Sequence, residues 1–167
     1  MVQLYSETVR EAGELGLTAI ASWSRDPPDC QAIGPKGERL GIEVTEFVDQ
    51  RLAGQNPMKT RPRFWEIADV IVRLTEIIEK KNLKCAGVKG FDRLMLLIHC
   101  DEMFLRGYAG DDVLEGLRDT TFKQPSRIDE VAFMMSYDAR IRSYPIIKLR
   151  LAACADQDAS HVTVSAF

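Results

Sequence analysis

Asp29 and Glu43 are the residues of this chain whose setting points most directly to chemistry. Asp29 follows Pro27-Pro28 at the start of an apolar-alternating run. Glu43 sits in Gly41-Ile42-Glu43-Val44-Thr45-Glu46, at the end of the next such run. A hard divalent cation requires oxygen ligands from more than one direction. An Asp where one strand begins and a Glu near the end of its antiparallel neighbour supply carboxylates that converge from two backbones. Glu43 alternates with Ile42 and Val44, so it points to the opposite face of the strand from both. If those two pack against one helical layer, Glu43 faces the other layer or a cleft, where a carboxylate is costly unless paired or metal-bound. The plainer alternative makes Asp29 a turn residue bonding local backbone and leaves Glu43 on a solvent face.

These residues depend on the elements around them. Residues 4–15 carry a partial apolar stripe, Leu4, Val9, Ala12 and Leu15, stopped by Gly16, and are expected to be helical. Glu7, Glu11 and Glu14 share one face of that helix. Leu17 to Trp23 reads as a first strand, broken by Ser24-Arg25-Asp26-Pro27-Pro28. Cys30, Ala32 and Gly34 form a second, and Gly34-Pro35-Lys36-Gly37-Glu38 is a hairpin turn. Arg39 to Val44 is the third, with Leu40, Ile42 and Val44 alternating against Arg39, Gly41 and Glu43. Asp49 to Arg63 is a polar loop. Phe64 to Lys81 has the strongest helical period, and Lys80, Lys81 and Lys84 at its end complement the helix dipole. Leu94 to Ile98 is an unbroken apolar run, which predicts a strand buried on both faces. Asp111 or Asp112 caps a short helix that uses Val113, Leu114 and Leu117. Lys123 to Arg127 is a polar break, Val131 to Tyr137 is a strand, and Tyr144 to Leu151 is expected to pair with it. The order implies a mixed sheet with helices on both faces. One domain covers 1–151, followed by a tail at 152–167.

The string Pro27-Pro28-Asp29 with Ile42-Glu43-Val44-Thr45-Glu46, in the order helix, hairpin, helix, strand, resembles the core of the PD-(D/E)XK nuclease superfamily over most of the chain. The resemblance implies a restriction-endonuclease-like fold, a three-layer α/β/α domain with a mixed central sheet. It implies that Asp29 and Glu43 bind Mg²⁺ or Mn²⁺, with the Val44 carbonyl and an acid of the first helix, Glu11 by choice, as further ligands. Such an ion lowers the pKa of a bound water and offsets charge on a pentacovalent phosphate. One departure stands out: the third motif position, usually Lys, is Thr45, whose hydroxyl can bond a water but carries no charge. Divergent members move the Lys onto the following helix. Lys81 fits that shift, because it extends the stripe Ile67, Ile71, Leu74 and Ile78 by one step toward the sheet, and Lys84 lies one turn further. Snorkelling at a helix end is the plainer account of both. The implied catalytic set is Asp29, Glu43, Thr45 and Lys81.

At 167 residues the chain is expected to be one domain, with 46% apolar and 28% charged residues, as in ordinary globular proteins. A formal net charge of −3 argues against binding duplex DNA through the whole surface. Nucleic-acid contacts would come from local patches: Lys59, Arg61 and Arg63 beside Phe64 and Trp65, and Arg140 and Arg142 near Tyr137 and Tyr144. Arg140, Arg142 and Tyr144 alternate, as on one face of a strand. Cations interleaved with aromatics suit single-stranded or flexible nucleic acid, and equally a solvated edge strand. No apolar run approaches the roughly 20 residues of a membrane span, and the N-terminus does not read as a signal peptide. A cytoplasmic location and no membrane partner are expected. Cys30, Cys85, Cys100 and Cys154 form no C-x-x-C pair, so reduced, buried thiols are expected rather than zinc. His99, Asp101 and Glu102 follow the buried strand, where α/β sheets often bind ligands, although loop residues capping a strand explain them as well.

The expected function is Mg²⁺- or Mn²⁺-dependent phosphodiester hydrolysis of DNA or RNA. The alternative is a catalytically inactive binding module on the same fold, acting through a protein or nucleic-acid partner. Thr45 and the acidic net charge favour that alternative. A third reading, a structural subunit, predicts a large exposed apolar patch and an obligate oligomer; a homodimer is left open.

Overall fold

The computed structural model describes residues 8–9, 13–48, 65–101, 105 and 108–152. The unbroken apolar run Leu94–Ile98 becomes the middle of β4 (Arg93–Cys100), with all five of those side chains buried. A strand this apolar requires cover on both faces and parallel neighbours on both edges, and it has both. It pairs in parallel with β3 (Arg39–Phe47) on one side and β6 (Glu130–Met135) on the other. β2 (Cys30–Ile33) and β1 (Thr18–Ser22) extend the sheet antiparallel beyond β3, and β7 (Ile146–Lys148) extends it antiparallel beyond β6. The result is a mixed six-stranded sheet in the order β1-β2-β3-β4-β6-β7. A second, two-stranded sheet joins β5 (Thr121–Lys123) to β8 (Arg150–Ala152) in parallel.

Two helices of several turns stand among the described residues, α1 (Ile67–Lys84) and α2 (Tyr108–Arg118). α1 buries Val70, Leu74, Ile77 and Ile78, positions that recur on one helical face. They meet Phe47 of β3, Leu96 and Ile98 of β4 and Phe133 of β6, with Val113 and Leu117 of α2 in the same core. Because strand side chains alternate, the intervening residues Ile42, Val44, Met95, Leu97 and Met134 form a separate core on the other face, joined by Val9 and Leu15. The fold is thus mixed α/β, with apolar packing on both faces of its sheet. No helix among the described residues is long and apolar enough to cross a membrane.

The hairpin forms where its turn residues predict. Gly37 takes φ +81°, a left-handed conformation that suits glycine, and the Gly34 N–H donates to the Glu38 carbonyl at 2.9 Å. β3 runs three residues beyond the expected Val44, because Phe47 continues the alternation into the α1-facing core. α1 begins and ends three residues later than expected. α2 starts at Tyr108 rather than at Asp111, and β6 ends at Met135 rather than Tyr137.

The Tyr144–Leu151 run is not one strand. β7 pairs with β6, the Leu149 N–H then donates to the Val131 carbonyl at 2.8 Å, and the chain passes to β8 in the second sheet. Residues 138–143 form a turn closed by an Asp138–Ser143 bridge, with Arg142 at φ +55°. The expected strand face shared by Arg140, Arg142 and Tyr144 therefore does not exist. Cys30, Cys85 and Cys100 are buried. Glu7, Glu11, Lys59, Arg61, Arg63, Glu102, Cys154 and all of the tail except Ala152 lie outside the described residues.

Candidate metal centre

The β2–β3 register fixes the two carboxylates. Cys30 pairs with Ile42, so one step further Asp29 stands opposite Glu43, and side chains of opposed residues share a face. The Asp29 N–H donates to the Ile42 carbonyl at 3.1 Å, and its Oδ2 accepts the Val44 N–H at 2.8 Å. The side chain does bond to backbone, as the turn alternative anticipates, but to the neighbouring strand and not to its own turn. Gly41 allows this close fit: a Cβ there would lie 2.7 Å from Leu94 Cδ2 and 3.0 Å from both Phe91 Cγ and Pro28 Cγ.

Glu43 is 1% exposed, the buried charged side chain of the described residues. The solvent-face alternative for it is therefore wrong. It faces α1, because 43, 45 and 47 lie on the side of β3 that carries Phe47 into the α1 core. Two lysines of α1 reach it. Lys81 Nζ donates to Glu43 Oε1 at 2.7 Å, and Lys84 Nζ donates to the same oxygen at 2.8 Å. Lys81 also approaches the Val44 carbonyl at 3.5 Å. The helical period explains this reach: Lys81 follows Leu74, Ile77 and Ile78 on the buried face. Glu43 Oε2 is buried and has no hydrogen-bond partner among the described residues.

A third carboxylate was not foreseen from the sequence. Asp26 comes from the loop between β1 and β2, which the Trp23 N–H closes by donating to the Asp29 carbonyl at 2.9 Å. Trp23 is itself fixed edge-on against Phe91, with the Arg39 guanidinium over its ring. One oxygen from each of Asp26, Asp29 and Glu43 falls within 4.8 Å of the others. Lys84 Nζ also bonds Asp26 Oδ1, at 2.6 Å. The available signal was the acid three residues before Asp29 in the same proline-rich break, which reads as an ordinary turn residue in sequence.

The electrostatics follow from this crowding. Burial raises the Asp29 carboxyl above its ordinary value and the Glu43 charge adds to the rise, while the Val44 N–H and the two lysines pull the other way. Burial disfavours the Lys84 charge, but its bonds to Asp26 and Glu43 outweigh that and hold the ammonium above its ordinary pKa. Burial and then the Glu43 charge push the nearby Cys85 thiol up to about 11, so it remains protonated at neutral pH and is a poor nucleophile. Beside the carboxylates lies a cavity of about 660 Å³, lined by Thr45, Glu46, Arg73, Lys80, Lys81 and Lys84 among others. Thr45 thus borders the same cleft as the lysines.

The other sequence candidates lie elsewhere. The Arg140 guanidinium is held by Asp111 at 2.9 and 3.1 Å and by Asp138, which makes it an ion-paired turn residue. Asp101 accepts the Ser136 hydroxyl at 2.6 Å, and His99 is partly buried within β4. The oxygen set suits a hard divalent cation: three carboxylates converge, and one buried carboxylate oxygen lacks a donor among the described residues. Comparison of the chain with protein-family models, curated proteins and solved structures finds no match.

Proposed function

We propose that this protein is a divalent-metal-dependent phosphodiesterase acting on nucleic acid, on a three-layer restriction-endonuclease-like fold, with Asp29, Glu43 and the Val44 carbonyl as metal ligands. One observation carries the reading. Glu43 is buried, its Oε2 has no partner among the described residues, and Asp26 and Asp29 oxygens lie within 4.8 Å in the same cluster. Burying a carboxylate oxygen without a donor costs free energy that a fold retains when the atom has another partner to serve. Mg²⁺ or Mn²⁺ in such a site supplies Lewis-acid polarisation of a phosphoryl oxygen and a lowered pKa for water.

The protein's own groups provide the rest. Lys81 Nζ, 2.7 Å from Glu43, brings from α1 the positive charge that Thr45 lacks, next to where a phosphate would develop charge. The Thr45 hydroxyl borders the cleft and orients a water by hydrogen bonding. Lys80 on the same wall attracts the phosphate backbone of the substrate, whereas Arg73 there is paired with Glu76 at 3.0 Å.

A second reading is favoured by the same ion pairs. Lys81 and Lys84 already satisfy Glu43 Oε1, and a salt bridge that fills the cleft suits a non-catalytic binding module. Isothermal titration of Mn²⁺ into wild type and the Asp29→Ala/Glu43→Ala protein separates the two. Binding that the double substitution abolishes, followed by cleavage of labelled DNA or RNA, is the expected result. Binding unchanged by the substitutions, or absent up to millimolar metal both in wild type and in a variant without the Lys84 ammonium, refutes the metal centre and turns the search to a protein partner.

A further inference from the structure

The Lys84 ammonium sits between two of the converging carboxylates. It lies 2.6 Å from Asp26 Oδ1 and 2.8 Å from Glu43 Oε1, bridging two of the three carboxylates that converge there. Lys81 contacts only Glu43 among these carboxylates. We propose that Lys84 is a built-in competitor for the metal, and that Asp26 serves as the third carboxylate ligand once Lys84 swings out. This rests on the metal centre proposed above and adds its regulation.

Charge and freedom of movement both point this way. Three carboxylates face two ammonium groups, an excess of one negative charge when all are ionised. With Lys84 withdrawn the excess is two, which a divalent ion neutralises. The Lys84 side chain is 36% exposed, against 18% for Lys81, and it stands in the last turn of α1. Its flexible stem can carry the ammonium into water with little loss of packing. Lys81, more deeply set, stays beside Glu43. Asp26 is 67% exposed on a loop, so it can follow the incoming ion. The exchange is one cation for another on the same oxygens, with no covalent change, and it gives the site a threshold: metal binds only when its concentration is sufficient to displace the lysine.

The test is a titration of Mn²⁺, followed by the electron paramagnetic resonance signal of the free ion, into the full-length wild type, Lys84→Gln, Lys84→Arg, Asp26→Asn/Lys84→Gln and Glu43→Ala. Circular dichroism verifies that each is folded. Lys84→Gln should bind at least about tenfold more tightly than wild type, because a like charge a few ångströms away is removed. Lys84→Arg should show no gain, since it keeps the competing charge. Asp26→Asn in the Lys84→Gln background should lose most of the gain. Equal or weaker binding by Lys84→Gln overturns the competitor while Glu43-dependent binding by wild type preserves the metal centre. A gain that survives Asp26→Asn overturns the third ligand. Absence of binding in every protein removes the centre and this inference together.

Discussion

If Glu43 is held in the core by its two lysines, removing them should cost more together than apart. In Lys81→Met the carboxylate loses a charge-assisted bond of 2.7 Å between side chains that are 18% and 2% exposed. A hydrogen bond to a charged group contributes roughly 1.5–3 kcal/mol, so about 2 kcal/mol is expected. Lys84 is 36% exposed, and solvent screening reduces its share to about 1 kcal/mol. Either single variant leaves one ammonium on Oε1. The double variant leaves a buried carboxylate with neither, and breaking a buried pair completely costs about 3–5 kcal/mol. A total near 4 kcal/mol then exceeds the sum of the single losses by about 1 kcal/mol, the coupling that a double-mutant cycle measures. The assay is urea unfolding of the four proteins in chelator, with midpoints compared at constant slope. Glu43→Gln in the double variant should recover much of the loss, because no charge remains to be buried. Strictly additive losses would refute the coupling, and a double variant within about 1 kcal/mol of wild type would show that Glu43 does not depend on these lysines.

Two further outcomes follow from the same geometry. Asp29 has a folded pKa above its ordinary value of 3.8. A carboxyl so raised favours folding fully below its unfolded pKa, and this contribution is lost as pH rises through the folded value. In Asp29→Asn the amide oxygen can still accept the Val44 N–H while carrying no charge to bury, so this variant, free of metal, should melt above wild type at neutral pH. The gap should close in acid, below 3.8; a variant that melts lower at neutral pH contradicts the assignment. Gly41→Ala places a methyl 2.7 Å from Leu94 Cδ2 and 3.0 Å from the Phe91 ring and Pro28, so overpacking should cost about 1–3 kcal/mol. Because Pro28 precedes Asp29, Mn²⁺ binding measured on the folded fraction should weaken as well. A fully stable Gly41→Ala protein would show that the strand has room the contacts deny.

Local pattern carried much of the fold. The five apolar residues Leu94–Ile98 were sufficient to announce a central strand buried on both faces, since no other element hides five consecutive apolar side chains in so short a run. The Gly34–Glu38 turn and the flanking alternation fixed the β2–β3 register, and with it the opposition of Asp29 to Glu43. The 3.6-residue period of α1 turned Lys81 toward the sheet. Each of these depends on residues close together in the chain. What lay beyond sequence was decided by distance. Asp26 joins the cluster only because a loop closes through Trp23 and Asp29. Lys84 reaches it across 58 residues of chain. Tyr144–Leu151 reads as one strand, but β5 offers a second edge and takes its last residues away from β6. Arg140 looked free to bind phosphate until Asp111, on another element, claimed its guanidinium. Periodicity determines which face a side chain presents; only packing across the sheet determines what meets it there, and at Glu43 that meeting decides whether a carboxylate is stranded, neutralised or put to use.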